Sequence, residues 1–550
     1  MGNKEIAAQF NLLAALMELH GENSFKTKAY LNTYQSLRKW DRPLGEMTQE
    51  EIASIHGIGS SAASKINDLL TKGVMEPLET LKKNTPVGIQ QLLQIKGMGP
   101  KKIRVIWDAL GVESPAELLY ACNENRLVKL PGFGLKTQED LQAKITYFLE
   151  SEHRYLFGVI EQDILKFEEN WNKVFPKYKL TWVGEVARKN PVITSIQCLI
   201  TPGFNPSLIS KMDQAEVVQL ESENSFILRY AERYSIQCTT SDENQMVTQW
   251  SHLTMIKPLL DKLSPALKSY DGNSIDLFLQ QNGYDGLPVE LLDYDGIENE
   301  SADLWADLVT LADLKGIVHN HSTWSDGIHT LEEMAVHVRD SGFQYFGISD
   351  HSKSAFYANG LQPQSVLLQM EEIDKLNVKL APFRIFKGIE SDILNDGSLD
   401  YDPDILSKFD FVIASIHNNL RMDEEKATTR LIKAVENPFT RILGHPTSRL
   451  LLARPGYPIN HRKVIEACAA NGVVMELNAN PQRMDIDYSW LKYCQEKNVM
   501  VSINPDAHSR TQVNYVKYGV MSARKGALKK ANCLNAMGLA EFEKWIVKKV

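Results

Sequence analysis

The clearest periodicity in this chain lies in its second half. Short apolar blocks alternate there with longer stretches whose apolar residues recur at helical spacing. Gly316 to His321, Tyr345 to Ser349, Arg384 to Ile389, Phe411 to Ile416, Arg441 to Gly444, Val473 to Asn478 and Met500 to Asn504 read as buried strands. With the stretches between them they make about seven β-α repeats, the pattern of a parallel α/β fold. Most blocks contain or run into a histidine or a carboxylate: His319 and His321, Asp350 and His351, Glu390, His417, His445, and Asp506 with His508. Each of these falls at the C-terminal end of a strand, where α/β barrels carry their active sites.

The first repeat shows the local logic. His319 and His321 are two apart, so on a strand they share a face. Asp326 follows in a Ser-Asp-Gly turn. Thr330 caps the next helix, with Glu333 completing a capping box, and Gly342 ends it. One buried histidine is ordinarily a hydrogen-bonded core residue. A full set of histidines and carboxylates at strand ends suits a transition-metal site instead.

These motifs carry a family resemblance. His319-Asn320-His321 with Asp326, Ser349-Asp350-His351, Gly388-Ile389-Glu390, Ser415-Ile416-His417, Gly444-His445-Pro446 and Asn504-Pro505-Asp506-Ala507-His508 resemble the motifs of the polymerase and histidinol phosphatase (PHP) domain. That resemblance implies a distorted (β/α)7 barrel over residues 311–550. It also implies up to three divalent metals, with Mn²⁺, Zn²⁺ or Fe²⁺ all compatible with the ligand mix. By the same resemblance His319, His321, Glu390 and Asp506 hold one metal. Glu390 bridges to a second, completed by His417 and His445, and Asp326, His351 and His508 hold a third. Glu390, Asp506 and His508 are the implied catalytic positions.

The first 150 residues read as mostly helical, with three similar turns. Ile55-His56-Gly57-Ile58-Gly59, Ile95-Lys96-Gly97-Met98-Gly99 and Leu130-Pro131-Gly132-Phe133-Gly134 each precede a helix. The glycines allow a sharp turn, the apolar residue between them plugs the core, and the helix then offers free N–H groups to a phosphate. One such turn is weak, because a helix C-cap gives the same letters; three in the same context point to helix-hairpin-helix binding of DNA. Lys101 and Lys102 add charge beside the second turn.

Helical hairpins, a mixed α/β stretch and a PHP barrel, in that order, resemble the bacterial family X DNA polymerases. The resemblance divides the chain into a lyase-like helix-hairpin-helix domain (1–90), a fingers-like one (91–150), a palm (151–243), a thumb-like part (244–298), an acidic linker (299–310) and the barrel. Lys65 falls where related repair polymerases keep a Schiff-base lysine, although a solvated helix lysine is the plainer reading. Lys26 and Tyr30 fall on positions used there for DNA phosphate. The palm departs from the pattern. Gly184 and Arg188 match, but the two carboxylates of the Gly-Asp-x-Asp strand have become Ser195 and Gln197, and a third is read as Ser235. Nucleotidyl transfer needs acidic residues to hold Mg²⁺ at the α-phosphate. The expectation is a palm retained in fold and lost in chemistry.

Composition narrows the partners. The net charge of −9 excludes a uniformly basic surface, so DNA contact must come from local patches. The 6 cysteines are scattered with no CxxC pair, and no apolar run approaches a membrane span. A cytoplasmic monomer that does not engage a membrane is therefore expected. The whole reads as a DNA-repair phosphodiesterase, by resemblance a 3′-to-5′ exonuclease, acting on gapped, nicked or 3′-end DNA, including abasic or blocked 3′ ends. A working gap-filling polymerase and a phosphoesterase for a small metabolite remain alternatives. Arg449 and Arg483, just after strand ends, are candidate phosphate clamps. The sequence names no general acid.

Overall fold

A computed structural model describes residues 1–123, 126–130, 132–150, 154–452 and 455–547. The chain divides into two compact units, Met1–Glu152 and His153–Val550. Pro131 of the third glycine turn lies outside the described residues.

The described residues of the first unit form helices and turns. Its core is a continuous apolar cluster running from Ile6 and Phe10 through Leu69 and Ile106 to Ile145. Each glycine turn drives its middle residue into that core: Ile58, Met98 and Phe133 are all buried. The first glycine of each turn has the left-handed backbone that glycine tolerates, with φ of 86° at Gly57, 91° at Gly97 and 83° at Gly132.

The second unit opens with a mixed five-stranded sheet. Its strands are β1 (Leu180–Val183), β2 (Ile196–Ile200), β3 (Ala215–Ser222), β4 (Ser225–Tyr230) and β5 (Tyr234–Thr240), in the order β1-β2-β5-β4-β3. The helix Phe157–Val174 packs Phe157, Ile160, Phe167 and Trp171 on it. Helices Glu243–Thr254, Lys257–Ser269 and Ile275–Gln281 follow. The acidic stretch 299–310 is packed rather than loose: Trp305 is buried and the Val309 amide donates to the Leu528 carbonyl at 3.0 Å.

The rest forms the barrel. Seven parallel strands run in sequence order: β6 (Gly316–Ile317), β7 (Tyr345–Ile348), β8 (Arg384–Asp392), β9 (Phe411–Ser415), β10 (Thr440–Leu443), β11 (Val474–Asn478) and β12 (Val501–Asn504). β6 is shorter than the sequence pattern suggests, yet the chain beyond it closes the barrel. Asn320 bridges to Ala507, and the His321 amide donates to the Ala507 carbonyl at 2.8 Å. Alternation along β8 puts Phe386, Gly388, Glu390 and Asp392 on one face. Phe386 joins the apolar cluster of Tyr345, Phe411, Ile442, Val474 and Phe542, and Glu390 lies among the ligand-type side chains. Gly388 has no room for a side chain, because a Cβ there would lie 2.2 Å from the Phe411 ring.

Candidate metal centre

The strand ends bring all nine predicted side chains together. Oε1 of Glu390 lies 2.9 Å from Nε2 of His445, 3.2 Å from Nε2 of His417 and 3.3 Å from Nε2 of His319. Its Oε2 lies 2.9 Å from Nδ1 of His351. Oδ1 of Asp506 is 3.0 Å from Nε2 of His321 and 3.5 Å from Nε2 of His319. Asp326, on its turn, lies 3.3 Å from Nε2 of His508 and 3.7 Å from Nε2 of His351. The rings of His351 and His508 each stack against His321, with centroids 4.4 and 4.2 Å away, and lie 6.1 Å from each other. His445 and Asp506 have positive φ, 20° and 49°, conformations that non-glycine residues adopt at a cost.

The ligand atoms fall into overlapping groups, each compact enough for one ion: His321, Asp326, His351 and His508; His319, Glu390 and His445; His319, His321 and Asp506; and His351, Glu390 and His417. Nε2 of His319, Nδ1 of His321, Nδ1 of His445 and Oε2 of Glu390 are buried and make no hydrogen bond. Buried polar atoms normally have partners. Unpartnered donor atoms on imidazoles and carboxylates in a largely buried cluster fit divalent transition metals.

Electrostatics agree with that chemistry. Burial by itself would raise the Glu390 carboxyl, but His417, His319 and His351 outweigh it and hold it well below the usual carboxylate range. Burial is outweighed at Asp506 too, by His319 and His321. Burial, reinforced by His508 and His351, lowers the His321 imidazole to about 3. At His417 burial disfavours the charge, yet Glu390 and a hydrogen bond to Asp392 push it up to about 10. The carboxylates demand positive charge. Protons on some histidines supply it, and cations can replace those protons.

A second ring of residues orients the first; of these the sequence reading singled out Asp350 but not Glu476 or Asp392. Glu476 is fully buried, its Oε1 2.6 Å from Nδ1 of His319, and its Oε2 accepts from the His445 amide at 2.8 Å. Asp392 hydrogen-bonds Nδ1 of His417. Such partners fix the tautomer and direction of a ligating imidazole. Asp350 accepts from the Ser322 amide at 2.8 Å and the Ser322 hydroxyl at 2.7 Å, bracing the turn to Asp326. The signal was present as Glu476 inside the apolar β11, where a carboxylate must be paired.

At the corresponding strand positions of the five-stranded sheet the side chains are amides and hydroxyls, with Glu185 accepting from the Ser195 amide at 3.1 Å and Glu221 from Gln237 at 3.3 Å. Gln197 on β2 pairs in register with Gln237 on β5, and Nε2 of Gln197 donates to Oε1 of Gln237 at 2.8 Å. The third acidic position, read from sequence as Ser235, has Gln237 two residues on and so on the same face. Arg188 is occupied elsewhere, bonded to Asp293 at 3.1 Å and to the Thr254 carbonyl at 2.6 Å.

In the helical unit, helices Ser60–Lys72 and Pro100–Leu110 begin after Gly59 and Gly99 with no side-chain cap; the second opens on a proline, which has no N–H, so its free amides start at Lys101. The helix Leu135–Glu150 follows Gly134. Lys101 is exposed, and Lys102 Nζ donates to the Gly97 carbonyl at 3.3 Å. Lys26 is exposed. Lys65 Nζ lies 5.6 Å over the Tyr30 ring and 3.1 Å from Ser61 Oγ.

Helix-hairpin-helix turns ahead of a PHP-type barrel with a cluster of nine histidines and carboxylates define a class of multidomain, phosphate-directed proteins. Residues 1–75 match a helix-hairpin-helix domain family, and residues 89–145 match a SAM-like helix-hairpin-helix tandem. The chain is 31% identical over 569 residues to the DNA polymerase/3′-5′ exonuclease PolX of Bacillus subtilis, covering 99% of each chain. Part of the chain is also similar to probable phosphatases. The one from Thermoanaerobacter sp. is 30% identical over 194 residues, 31% of this chain and 76% of that protein. The one from Acetivibrio thermocellus is 28% identical over 204 residues, 36% of this chain and 80% of that protein. The chain belongs to the bacterial PolX family, the family X DNA polymerases with a C-terminal PHP domain.

Proposed function

We propose that this protein is a metal-dependent DNA phosphodiesterase, a 3′-to-5′ exonuclease whose chemistry resides in the barrel and whose palm no longer polymerises. The observation that carries this reading is the contrast between two sites in one unit. The barrel mouth gathers His319, His321, Asp326, His351, Glu390, His417, His445, Asp506 and His508. On the palm strands the corresponding positions hold Ser195, Gln197, Ser235 and Gln237, and the two carboxylates beside them, Glu185 and Glu221, accept from the Ser195 amide at 3.1 Å and from Gln237 at 3.3 Å. The likeness to the B. subtilis polymerase/exonuclease over nearly the whole chain supports the nucleic-acid substrate.

In this reading the nine residues hold up to three divalent ions, Mn²⁺ foremost, with Zn²⁺ and Fe²⁺ as alternatives. Bound metals would supply charge neutralisation at the phosphate and activation of water. Glu390, which belongs to two of the ligand groups, would serve two of the ions. Asp506 and His508 would complete the ligand set on the catalytic side, and Glu476 and Asp392 keep His319 and His417 oriented. The open helix starts after Gly57-Ile58-Gly59, Gly97-Met98-Gly99 and Gly132-Phe133-Gly134, with Lys26, Tyr30, Lys101 and Lys102, bind the DNA backbone. Lys65 is the residue to examine for lyase chemistry. The domain limits follow the resemblance: 1–90, 91–150, 151–243, 244–298 and 311–550, with 299–310 joining the last two. The chain acts as a cytoplasmic monomer.

The test is to incubate purified protein with a primed, gapped duplex and Mn²⁺, with and without nucleotides. Primer shortening in both reactions is expected; lengthening in the presence of nucleotides overturns the reading. The probable phosphatases, alike over about a third of the chain, favour a second reading as a phosphomonoesterase. Release of inorganic phosphate from a 3′-phosphorylated primer with no loss of nucleotides would select it.

A further inference from the structure

Residues 479–487 leave β11 and bring Arg483 to the mouth of the barrel. Its Nε lies 3.5 Å from Oδ2 of Asp506, whose other oxygen faces His321. Oδ2 also accepts from Asn478 at 3.0 Å, so that carboxylate is well supplied with donors. Nη1 of Arg483 is buried and makes no hydrogen bond. A buried charged donor without an acceptor is unfavourable, and a planar guanidinium beside a metal centre is suited to phosphate oxygens.

Arg449, the other candidate clamp, is already engaged. Its Nε donates to the Arg483 carbonyl at 2.9 Å, Nη2 to the Met484 carbonyl, and Nη1 to Asp487 at 2.9 Å. It is a brace that fixes the backbone on which Arg483 stands. The five-stranded domain holds the loop from the other side. Met484 is buried in the same apolar cluster as Phe157, Ile160 and Trp171. Gly158 lies so close to Pro481 that a Cβ would come within 2.7 Å of the ring.

We propose that Arg483 is the phosphate-binding side chain of the barrel mouth, taking a backbone phosphate of the nucleic-acid strand, and that the five-stranded domain is retained to hold its loop. The nature of the substrate rests on the hydrolytic reading above; the anion site does not. The probe is inorganic phosphate added to the Mn²⁺-loaded full chain, with binding followed by calorimetry and by thermal shift. Cleavage of gapped duplex is measured in parallel, and metal content by mass spectrometry.

Arg483→Gln should weaken phosphate binding by about tenfold or more with metal content unchanged, and should raise KM more than it lowers kcat. Arg483→Lys keeps a charge beside Asp506 but not the fork, and should recover part of the affinity. Gly158→Ala should weaken phosphate binding less, again with full metal content; unchanged affinity there overturns the role given to the domain. Unchanged phosphate affinity in Arg483→Gln, or a loss that tracks loss of metal, overturns the anion site and leaves Arg483 as a support for Asp506. If Arg483→Gln does not fold, Arg483→Lys decides, and wild-type affinity in it overturns the site. Arg483-dependent phosphate binding in a protein that cleaves no phosphodiester would overturn the hydrolytic reading alone. Normal DNA cleavage and phosphate binding by Arg483→Gln would overturn the anion site alone.

Discussion

Gln197 and Gln237 hydrogen-bond to each other across two parallel strands, Nε2 to Oε1 at 2.8 Å. Two amides satisfy one another where nucleotidyl transfer needs carboxylates to hold Mg²⁺. In the same unit Glu390 faces His319, His351, His417 and His445 within about the reach of a shared ion. One scaffold therefore carries a site whose strand positions are amides and hydroxyls and another that gathers histidines and carboxylates.

Template-dependent primer extension should be absent in the wild-type protein. On a gapped duplex with Mg²⁺ or Mn²⁺ and all four nucleotides, gel analysis should show only shortening. Extension that survives Glu390→Ala and disappears on changing Gln197 would count decisively against this.

Glu390 and Asp326 should differ in the number of metals they govern. Glu390→Gln should release more than one equivalent and abolish nuclease activity even at high Mn²⁺, because two cations lose their shared ligand. Asp326→Asn should lose at most one equivalent and recover partly with added Mn²⁺. Metal analysis of the two variants, with circular dichroism to confirm folding, checks this.

Glu476 touches no substrate in this reading, yet it should matter to the metal. Its contact with Nδ1 of His319 fixes the direction of Nε2. Glu476→Gln should lower metal affinity by about 10–100-fold, the usual effect of removing an orienting carboxylate. A competitive chelator titration measures it. Unchanged affinity would remove Glu476 from the metal assembly.

The two glycines of the second hairpin should fail for different reasons. Gly97 sits at φ 91°, so Gly97→Ala should strain the turn by about 1–2 kcal/mol and lower the stability of the helical unit. Gly99 has φ −77° and open space around it, so Gly99→Ala should cost only the loss of a favourable N-cap residue, less than Gly97→Ala, and should chiefly weaken DNA binding. Thermal melts and salt-dependent binding isotherms separate the two.

The pH dependence of stability should reverse when metal is added. His417 is pushed up to about 10, above the unfolded histidine value of about 6.5. Its contribution is therefore fully present below about 6.5 and is lost as pH rises through about 10. Melting temperature in the presence of a chelator should fall between about pH 7 and pH 10. With Mn²⁺ the ligands must give up protons, so binding strengthens with pH and the melting temperature should hold or rise over the same range.

The sequence by itself determined the elements and the donor set. Apolar blocks that meet histidine or acid at their ends have few ways to be buried, and a parallel barrel places all those ends together. The glycine turns were equally legible, because each needs a left-handed backbone and a buried plug, and Ile58, Met98 and Phe133 supply the plug. Tertiary structure decided which neighbours share a charge. Glu476 and Asp392 become partners of His319 and His417 only when separate strands align, and no spacing along the chain encodes that. The same holds for the two arginines: in sequence they are alike, but in the fold Arg449 is consumed by carbonyls and Asp487 while Nη1 of Arg483 is left buried without an acceptor. Local pattern specifies what a segment buries; the pairing of buried charges depends on long-range register, which only the folded chain sets.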